Sequence, residues 1–222
     1  MNSDGSHREL FSDIRGVGWL ASCGRFVLFA SFSADAVTIT RADDDGSHPV
    51  KLISGDVRHP ACTPDGRFVF YANGHRPQKI WRIPSDGGAP VEIADGVGDG
   101  ITGPLDISPD GRLFSYSFDE YPPVWKIAVT SASGGQVIKT FDVPGGTTRV
   151  RGSTTGKGLQ YLVTHNGATN IWEQPLAGGG PKQLTQFTSG RIFDFNWSSD
   201  RRRLLLTRGD VTSDVVLLSN VR

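Results

Sequence analysis

The chain contains few residues at the spacings that common catalytic chemistry requires. A serine hydrolase of the α/β type holds its nucleophile in a Gly-x-Ser-x-Gly turn. None of the 222 residues form that pentapeptide; the nearest is GSTTG at 152–156, with Thr154 at the nucleophile position. The five histidines are scattered and form no His-x-His or His-Glu-x-x-His pair that would bind zinc. We therefore expect no enzymatic activity, no cofactor and no metal site in this chain.

Three further segments carry part of a ligand-binding motif. GSTTGKG at 152–158 has three residues between its glycines, where a phosphate loop has four, and Gly158 replaces the hydroxyl residue. The run 43–46, Asp-Asp-Asp-Gly, lacks the alternate spacing and closing Glu of a calcium loop. Residues 208–210 spell Arg-Gly-Asp, a tripeptide too short to specify adhesion. We expect ordinary turns and loops at all three segments.

Composition excludes several classes of partner. Lys and Arg total 23 and Asp and Glu total 23, so the sequence has no excess of basic residues for binding nucleic acid. No apolar run approaches the length of a membrane span, and no signal peptide is visible. Aromatic residues make up 9%, which argues against disorder. Cys23 and Cys62 have no metal-site spacing, and nothing in the sequence requires them to pair.

Two repeated motifs indicate the architecture that positions any functional residue. The first is a turn followed by an apolar run, and it recurs at 21–29, 63–71, 108–116, 153–161 and 198–206. The second includes a Gly-rich turn and recurs out of phase at 38–52, 79–93, 124–141 and 170–184. By sequence similarity, Trp81, Trp125 and Trp172 occupy matching positions in the second motif. A period of about 42–45 residues is typical of β-propeller blades.

Each period predicts four short strands, here called a to d. Strand a leads into the Pro-Asp-Gly turn, strand b follows that turn, strand c carries the tryptophan, and strand d follows the Gly-rich turn. One such sheet cannot cover its own apolar faces, whereas radial stacking of several sheets can. The sequence therefore predicts an all-β propeller of about five four-stranded blades. The predicted blades are 14–52, 57–93, 103–141, 147–184 and 191–219, in a single domain spanning 1–222.

Loops on this scaffold give the first set of candidate site residues. In a propeller the b–c loops and the connections from strand d open on one face, and loops on a rigid scaffold often carry binding residues. The most suggestive loop is FDEYPP at 118–123, which combines acids, an aromatic ring and two prolines. The predicted binding-face residues are His75, Arg76, Asp119, Glu120, Tyr121, His165, Asn166 and Asp210.

Strand a gives a second set because it lines the axis of a propeller. One position on this strand reads Trp19, Ala61, Asp106, Arg151 and Asn196 in the successive repeats. We predict Trp19, Asp106, Arg151 and Asn196 as candidate channel residues. Polar side chains near the axis could hold a small anion, or only water.

The turn and strand c motifs together resemble a known family. The SPDGR and IWR-x-x-x-DGG segments are similar to the repeats of TolB-like bacterial propellers, and the resemblance covers essentially the whole chain. It implies a non-catalytic protein-interaction or ligand-sensing module, resembling the sensor region of bacterial receptor kinases or periplasmic TolB. It also implies a periplasmic or extracytoplasmic location. The alternatives are a cytoplasmic protein, a substrate-gating propeller from a prolyl-oligopeptidase-like hydrolase, and a degenerate propeller without a ligand.

The two ends allow two interpretations of the ring. Strand 7–11 has the character of a strand d, while 214–219 has that of a strand c with no strand d after it. Pairing of these two strands would close a five-bladed ring. Alternatively, the chain is the C-terminal part of a larger propeller that has lost upstream blades, which the truncated first strand c favours.

Overall fold

All regular structure in the described part of the chain is β-strand. The computed structural model describes residues 15–74, 78–95, 100–120, 124–145, 147–198 and 202–212. The predicted closing strands 7–11 and 214–219 lie outside these ranges. The strands are β1 (Val17–Cys23), β2 (Phe26–Phe32), β3 (Val37–Asp43), β4 (Val50–Gly55), β5 (Val57–Cys62), β6 (Phe68–Asn73), β7 (Lys79–Pro84), β8 (Val91–Asp95), β9 (Gly100–Ile101), β10 (Asp106–Ile107), β11 (Leu113–Glu120), β12 (Val124–Ser131), β13 (Val137–Val143), β14 (Thr148–Gly152), β15 (Gly158–His165), β16 (Ala168–Pro175), β17 (Lys182–Gln183), β18 (Arg191–Trp197) and β19 (Leu204–Gly209).

Consecutive antiparallel strands form each sheet, as short hairpin connections require. Strands β1–β4, β5–β8 and β14–β17 form three four-stranded sheets in chain order. A further sheet has the order β10–β11–β12–β13, with β9 also pairing with β11. These four sheets are the blades of a β-propeller. A fifth sheet contains β18 and β19 among the described residues.

The hydrophobic core lies between successive blades and follows from strand alternation. Side chains of β6 point alternately to opposite faces. Val69 and Tyr71 belong to the cluster shared with the first sheet, whereas Phe70 and Ala72 belong to the cluster shared with the third. Further clusters join the third sheet to the fourth and the fourth to the fifth. Each middle blade thus covers one apolar face of both neighbours, which is why the sheets stack radially.

Pro-Asp-Gly turns join strands a and b with the predicted geometry. Asp65 Oδ1 accepts hydrogen bonds from the Thr63 hydroxyl at 2.6 Å and from the Arg67 amide at 3.0 Å. These bonds lower the pKa of the Asp65 carboxyl below its ordinary value. Gly66 and Gly111 both have φ +70°, a left-handed conformation that glycine adopts readily. The expectation of positive φ at these two glycines is confirmed.

Valine substitutions at these two glycines should separate backbone strain from crowding. Both variants place a β-branched residue at φ +70°, which we expect to cost about 1–2 kcal/mol at Gly111. A Cβ at Gly66 would also lie 3.0 Å from the Cys23 carbonyl oxygen, whereas the nearest atom at Gly111 is 3.8 Å away. We therefore expect Gly66→Val to cost about 1 kcal/mol more than Gly111→Val. Urea unfolding measures the free energy of unfolding of both variants. Equal decreases would contradict the close approach of the Gly24 and Gly66 turns.

The strand register corrects the predicted match between the tryptophans. Trp81 lies opposite Tyr71 and Trp172 lies opposite Tyr161. In the third blade the corresponding tyrosine, Tyr116, faces Ala128 rather than a tryptophan. Trp125 instead lies opposite Asp119, three residues earlier on β12, and all three indole side chains are half-buried. The prediction was wrong for Trp125 because the pairing of strands b and c, not local sequence similarity, sets the register of this hairpin.

A disulfide links the first two blades. Cys23, at the end of β1, is bonded to Cys62, at the end of β5, with their Cα atoms 5.1 Å apart. The sequence did not require this pair. The bond forms because radial stacking brings the turn of the first blade against the inner strand of the second, where the Gly24 and Gly66 turns also meet.

Candidate functional site: the central channel

The first strands of successive sheets lie side by side around the propeller axis. β1 contacts β5, β5 contacts β10, β10 contacts β14, and β14 contacts β18. Register shifts interrupt the pairing of four of these strands: β1, β5, β14 and β18. Such bulges bend a strand and re-aim its side chains. These interruptions place polar residues close to the axis.

All five sheets line one central cavity of about 410 Å³. The predicted channel residues Trp19, Asp106, Arg151 and Asn196 all lie on its wall. The structure therefore brings this set together, although their role in binding stays a prediction. Sequence reasoning missed Arg149 and Asp194, which also line the cavity. Each lies two residues before a predicted channel residue on the same strand, so the period-2 rule for side chains could have found both.

An ion-pair network crosses the channel between three blades. Arg151 Nη1 lies 3.6 Å from Asp106 Oδ1, and its Nη2 lies 3.5 Å from Asp194 Oδ1. Arg149 Nε lies 3.6 Å from Asp194 Oδ2. At these distances the charges attract each other, but the contacts are longer than the N–H···O bonds of a tight carboxylate pair. The network therefore balances two positive and two negative charges without using most guanidinium donors.

Asp106 is the fixed acid of the network. Its Oδ2 accepts a 2.6 Å hydrogen bond from the Gly152 amide, and its side chain is 20% exposed. Burial raises the pKa of the Asp106 carboxyl, while the Arg151 charge and the Gly152 hydrogen bond oppose that rise. Asp106 thus ties the third blade to the fourth at the level of the channel.

His59 lies beside the channel between the first three blades. Its ring packs edge-on against Trp19, with 5.6 Å between the centroids. Burial, together with the charges of Arg58 and Arg149, lowers the pKa of the His59 imidazole from 6.5 to about 4, although a hydrogen bond with the Ile101 backbone opposes the shift. The Nδ1 atom is buried and has no hydrogen-bond partner among the described residues. His59 is therefore neutral at pH 7, which a buried imidazole near arginines requires.

Acidification should destabilise the fold through His59. A histidine with a depressed native pKa binds its proton more readily in the unfolded chain, so its stabilising effect is present above pH 6.5 and is lost as pH falls towards 4. We expect a loss of about 2 kcal/mol between pH 7.5 and pH 5. The raised pKa of Asp106 acts with the opposite sign, because the native state holds that proton more tightly.

Urea unfolding at several pH values tests this linkage. His59→Asn keeps a residue that tolerates the local φ of +56° and removes the titrating group, so its pH slope should be shallower than that of the wild type. His165→Asn changes an exposed histidine and should retain the wild-type slope. Identical slopes for His59→Asn and the wild type would show that His59 is not the group responsible.

Five of the eight predicted binding-face residues lie within the described ranges, at the ends of three hairpins. His75, Arg76 and Tyr121 lie outside the described residues. Of the others, Asp119 and Glu120 end β11, His165 ends β15, Asn166 follows in the turn, and Asp210 follows β19. Glu120 forms a 2.9 Å ion pair with Lys126 of its own hairpin. Within the described ranges, no hydrogen bond or ion pair joins one of these loops to another.

The b–c loops do share a face with the connections that lead into strand a. The Gly74 amide donates to the Asp56 carbonyl at 2.8 Å, and the Thr169 amide donates to the Gly190 carbonyl at 3.0 Å. In these two blades the loop end of the b–c hairpin thus lies next to the segment that leads into an inner strand, and the grouping of the predicted residues on one face stays a prediction.

The three partial motifs form turns and a strand end. Residues 152–158 lie between β14 and β15, with no helix beside them. Residues 43–46 form the hairpin turn between β3 and β4, where Asp45 accepts a 2.9 Å hydrogen bond from the Ser47 amide. Arg208 and Gly209 end β19. In the described ranges, no three His, Cys, Asp or Glu side chains are grouped to hold a metal, and no helix could span a membrane.

Comparison with solved structures identifies the fold. TolB from Acinetobacter baumannii superposes with a TM-score of 0.64 and 21% identity, over 80% of this chain and 44% of TolB. The acylaminoacyl peptidase of Pyrococcus horikoshii gives a TM-score of 0.61 and 14% identity, over 86% of this chain and 35% of the peptidase.

The propeller domain of the Trilobed protease from Pyrococcus furiosus, described as having an open velcro topology, gives a TM-score of 0.59 and 12% identity over 92% of this chain and 71% of that domain. No protein-family model matches the sequence, and no curated protein matches it. The chain thus spans less than half of the TolB structure, and at these identities the likeness establishes a TolB-like β-propeller fold alone.

Proposed function

We propose that this chain is a non-catalytic propeller module that binds a ligand or a segment of a partner protein in its central channel. The observation that carries the proposal is the cavity of about 410 Å³, into which charged side chains from three blades project. Those side chains sit on inner strands that neighbouring blades hold in place, as a preorganised site requires. The resemblance to sensor regions and to TolB supports a role in recognition.

A channel-blocking variant tests the proposal. Leu20 lines the cavity and is 69% exposed, so Leu20→Trp should fill part of the channel without disturbing the core. Ile138→Trp makes the same type of change at an exposed position on β13, outside the cavity lining. Compounds and peptides that bind the wild type should be identified by ligand-observed NMR. We expect Leu20→Trp to lose them and Ile138→Trp to retain them; retention by Leu20→Trp would place the site elsewhere.

The non-catalytic part of the proposal has its own test. The purified chain should not hydrolyse peptide esters or nucleotides, since the sequence has no elbow serine and no phosphate loop. Reproducible turnover that a single substitution abolishes would overturn this part.

The likeness to peptidase propellers favours a second candidate, a substrate-gating propeller of a hydrolase. A hydrolase domain encoded next to this segment would select that candidate; an upstream kinase and membrane span would select the sensor.

The proposed location is extracytoplasmic. The resemblance to periplasmic TolB implies such a compartment, and the Cys23–Cys62 disulfide supports it independently. Disulfides persist in oxidising compartments and are rare in the reducing cytosol. Thiol-blocking mass spectrometry on protein from its native cell should find both cysteines paired, whereas two free thiols would favour a cytoplasmic protein.

We further propose that the ring has five blades and that strand 7–11 completes the last one. β19 is the outermost described strand of the fifth sheet, and unpaired strand edges promote aggregation. Deletion of residues 1–11 should therefore sharply reduce solubility. A deletion variant as soluble and monomeric as the full chain would argue for an open arc, which the fragment interpretation predicts.

A further inference from the structure

We propose that the channel binds a carboxylate attached to an apolar body, and that Arg149 and Arg151 receive this carboxylate. Asp194 lies between the two arginines, at the position that we assign to the ligand carboxylate. This inference rests on the proposed function of the channel as the binding site and adds the chemistry of the ligand.

The two arginines offer unused hydrogen-bond donors. Both lie on β14, line the cavity and have a guanidinium nitrogen within 3.6 Å of Asp194. Arg149 Nε is buried and makes no hydrogen bond, and Arg151 Nε has only a 3.4 Å bond to the Phe195 carbonyl. A guanidinium matches a carboxylate through two parallel N–H···O bonds. A ligand carboxylate that approaches more closely than Asp194 would form N–H···O hydrogen bonds to the guanidinium groups, which Asp194 does not form at 3.5 and 3.6 Å.

The two acids of the network differ in how firmly they are held. Asp106 is fixed by the Gly152 amide, as described above. Asp194 bridges both arginines, yet its side chain is 46% exposed and its one hydrogen bond is with the amide of the next residue, Phe195, at 2.8 Å. The Asp194 side chain can therefore rotate into solvent at a small cost in free energy. The site left behind carries a net positive charge that an anionic ligand would neutralise.

The apolar residues that line the cavity on β1 and β5 determine which kind of group the carboxylate should be attached to. Leu20 of β1 lines the cavity with an exposed aliphatic side chain, and Trp19, whose ring packs against Phe32 and His59, lines it as well. Pro60 and Ala61 extend this apolar wall on β5. An acid with an aliphatic or aromatic body would bury apolar surface there while its carboxylate reaches the arginines. Free carboxylic acids and the C-terminus of a peptide with an apolar last residue both have this chemistry.

The backbone of Arg149 is consistent with a residue kept for binding. Its φ is +58°, a region that disfavours an L-residue other than Asn, Asp or His and costs glycine nothing. A residue held in such a conformation at a cavity is a reason to look for function. This geometry also provides a variant, Arg149→Gly, that removes the guanidinium without adding strain.

Calorimetry and NMR of the arginine Nε–H signals test the proposal on the whole chain. The probes are hexanoate against hexanamide, and acetyl-Ala-Phe with a free C-terminus against its amide. We expect each acid to bind at least about tenfold more tightly than its amide, because the neutral group cannot pair with the guanidinium charges. Comparing the two acids shows whether a small acid or a peptide terminus is preferred.

Three variants separate recognition from folding. Arg149→Gly should lose at least about tenfold in acid affinity with an unchanged melting temperature, and Asp194→Asn should gain several-fold because the competing anion is gone. Arg67→Gln, at an exposed turn, should change nothing. Equal binding of acid and amide, no binding of any probe at millimolar concentration, or weaker acid binding by Asp194→Asn would overturn the proposal. If acid and amide bind equally but Leu20→Trp blocks both, only the carboxylate inference fails; if Leu20→Trp has no effect, the channel function fails.

Discussion

Phe114→Ala is expected to lower the free energy of unfolding by about 3–5 kcal/mol. The ring is 1% exposed and lies in the cluster between the second and third blades. Its centroid lies 5.7 Å from that of Phe70 on the neighbouring blade and 6.0 Å from that of Tyr116 on its own strand. Truncation would leave a cavity bounded by two rigid sheets that cannot close around it, so the loss should lie near the top of the range for buried aromatics.

Urea unfolding monitored by tryptophan fluorescence measures this loss. Phe193→Ala provides the matched control, since that ring is 44% exposed and little cavity would form. We expect the control to lose less than about 1.5 kcal/mol. Similar losses for the two variants would mean that the cluster between blades is not the main source of stability.

The blade structure could be predicted because its signals are local. Pro-Asp-Gly restricts the turn before strand b at Gly66 and Gly111, and the continuous apolar run 68–72, whose side chains alternate between the two faces of the sheet, requires a cover on both. The position of Trp125 could not be predicted in this way. Trp125 is the second residue of β12, whereas Trp172 is the fifth residue of the equally long β16, although the two tryptophans lie in similar local sequences.

The candidate channel was predictable in outline but not in its interactions. Aligning the repeats on the turns after strand a placed Asp106 and Arg151 at the same position of that strand, which lines the axis of a propeller. The sequence carries no signal for the positive φ of His59 and Arg149 or for the distance between Arg149 and Asp194. Those features depend on strand bulges and on the packing of one blade against the next, which are properties of the assembled ring.

Removal of the disulfide should cost about 3–4 kcal/mol. Cys23 and Cys62 are 39 residues apart, so the bond restricts a long loop in the unfolded chain. The repeat pattern does not predict this pair because the two cysteines occupy different positions in their repeats, one in the turn and one at the end of strand a. Only radial stacking brings those two positions together.

The double variant Cys23→Ala/Cys62→Ala and the wild type should be unfolded in urea with and without dithiothreitol. We expect the reduced wild type to match the variant within about 1 kcal/mol, and dithiothreitol to leave the variant unchanged. A wild type whose stability does not respond to reduction would show that the bond contributes nothing. Among the described residues, the core cluster of the first blade joins it to the second blade alone, so loss of the bond should also release the first blade before the others. Hydrogen exchange would then show lowered protection in β1–β4 ahead of β14–β17, so this bond would set the order in which the ring opens.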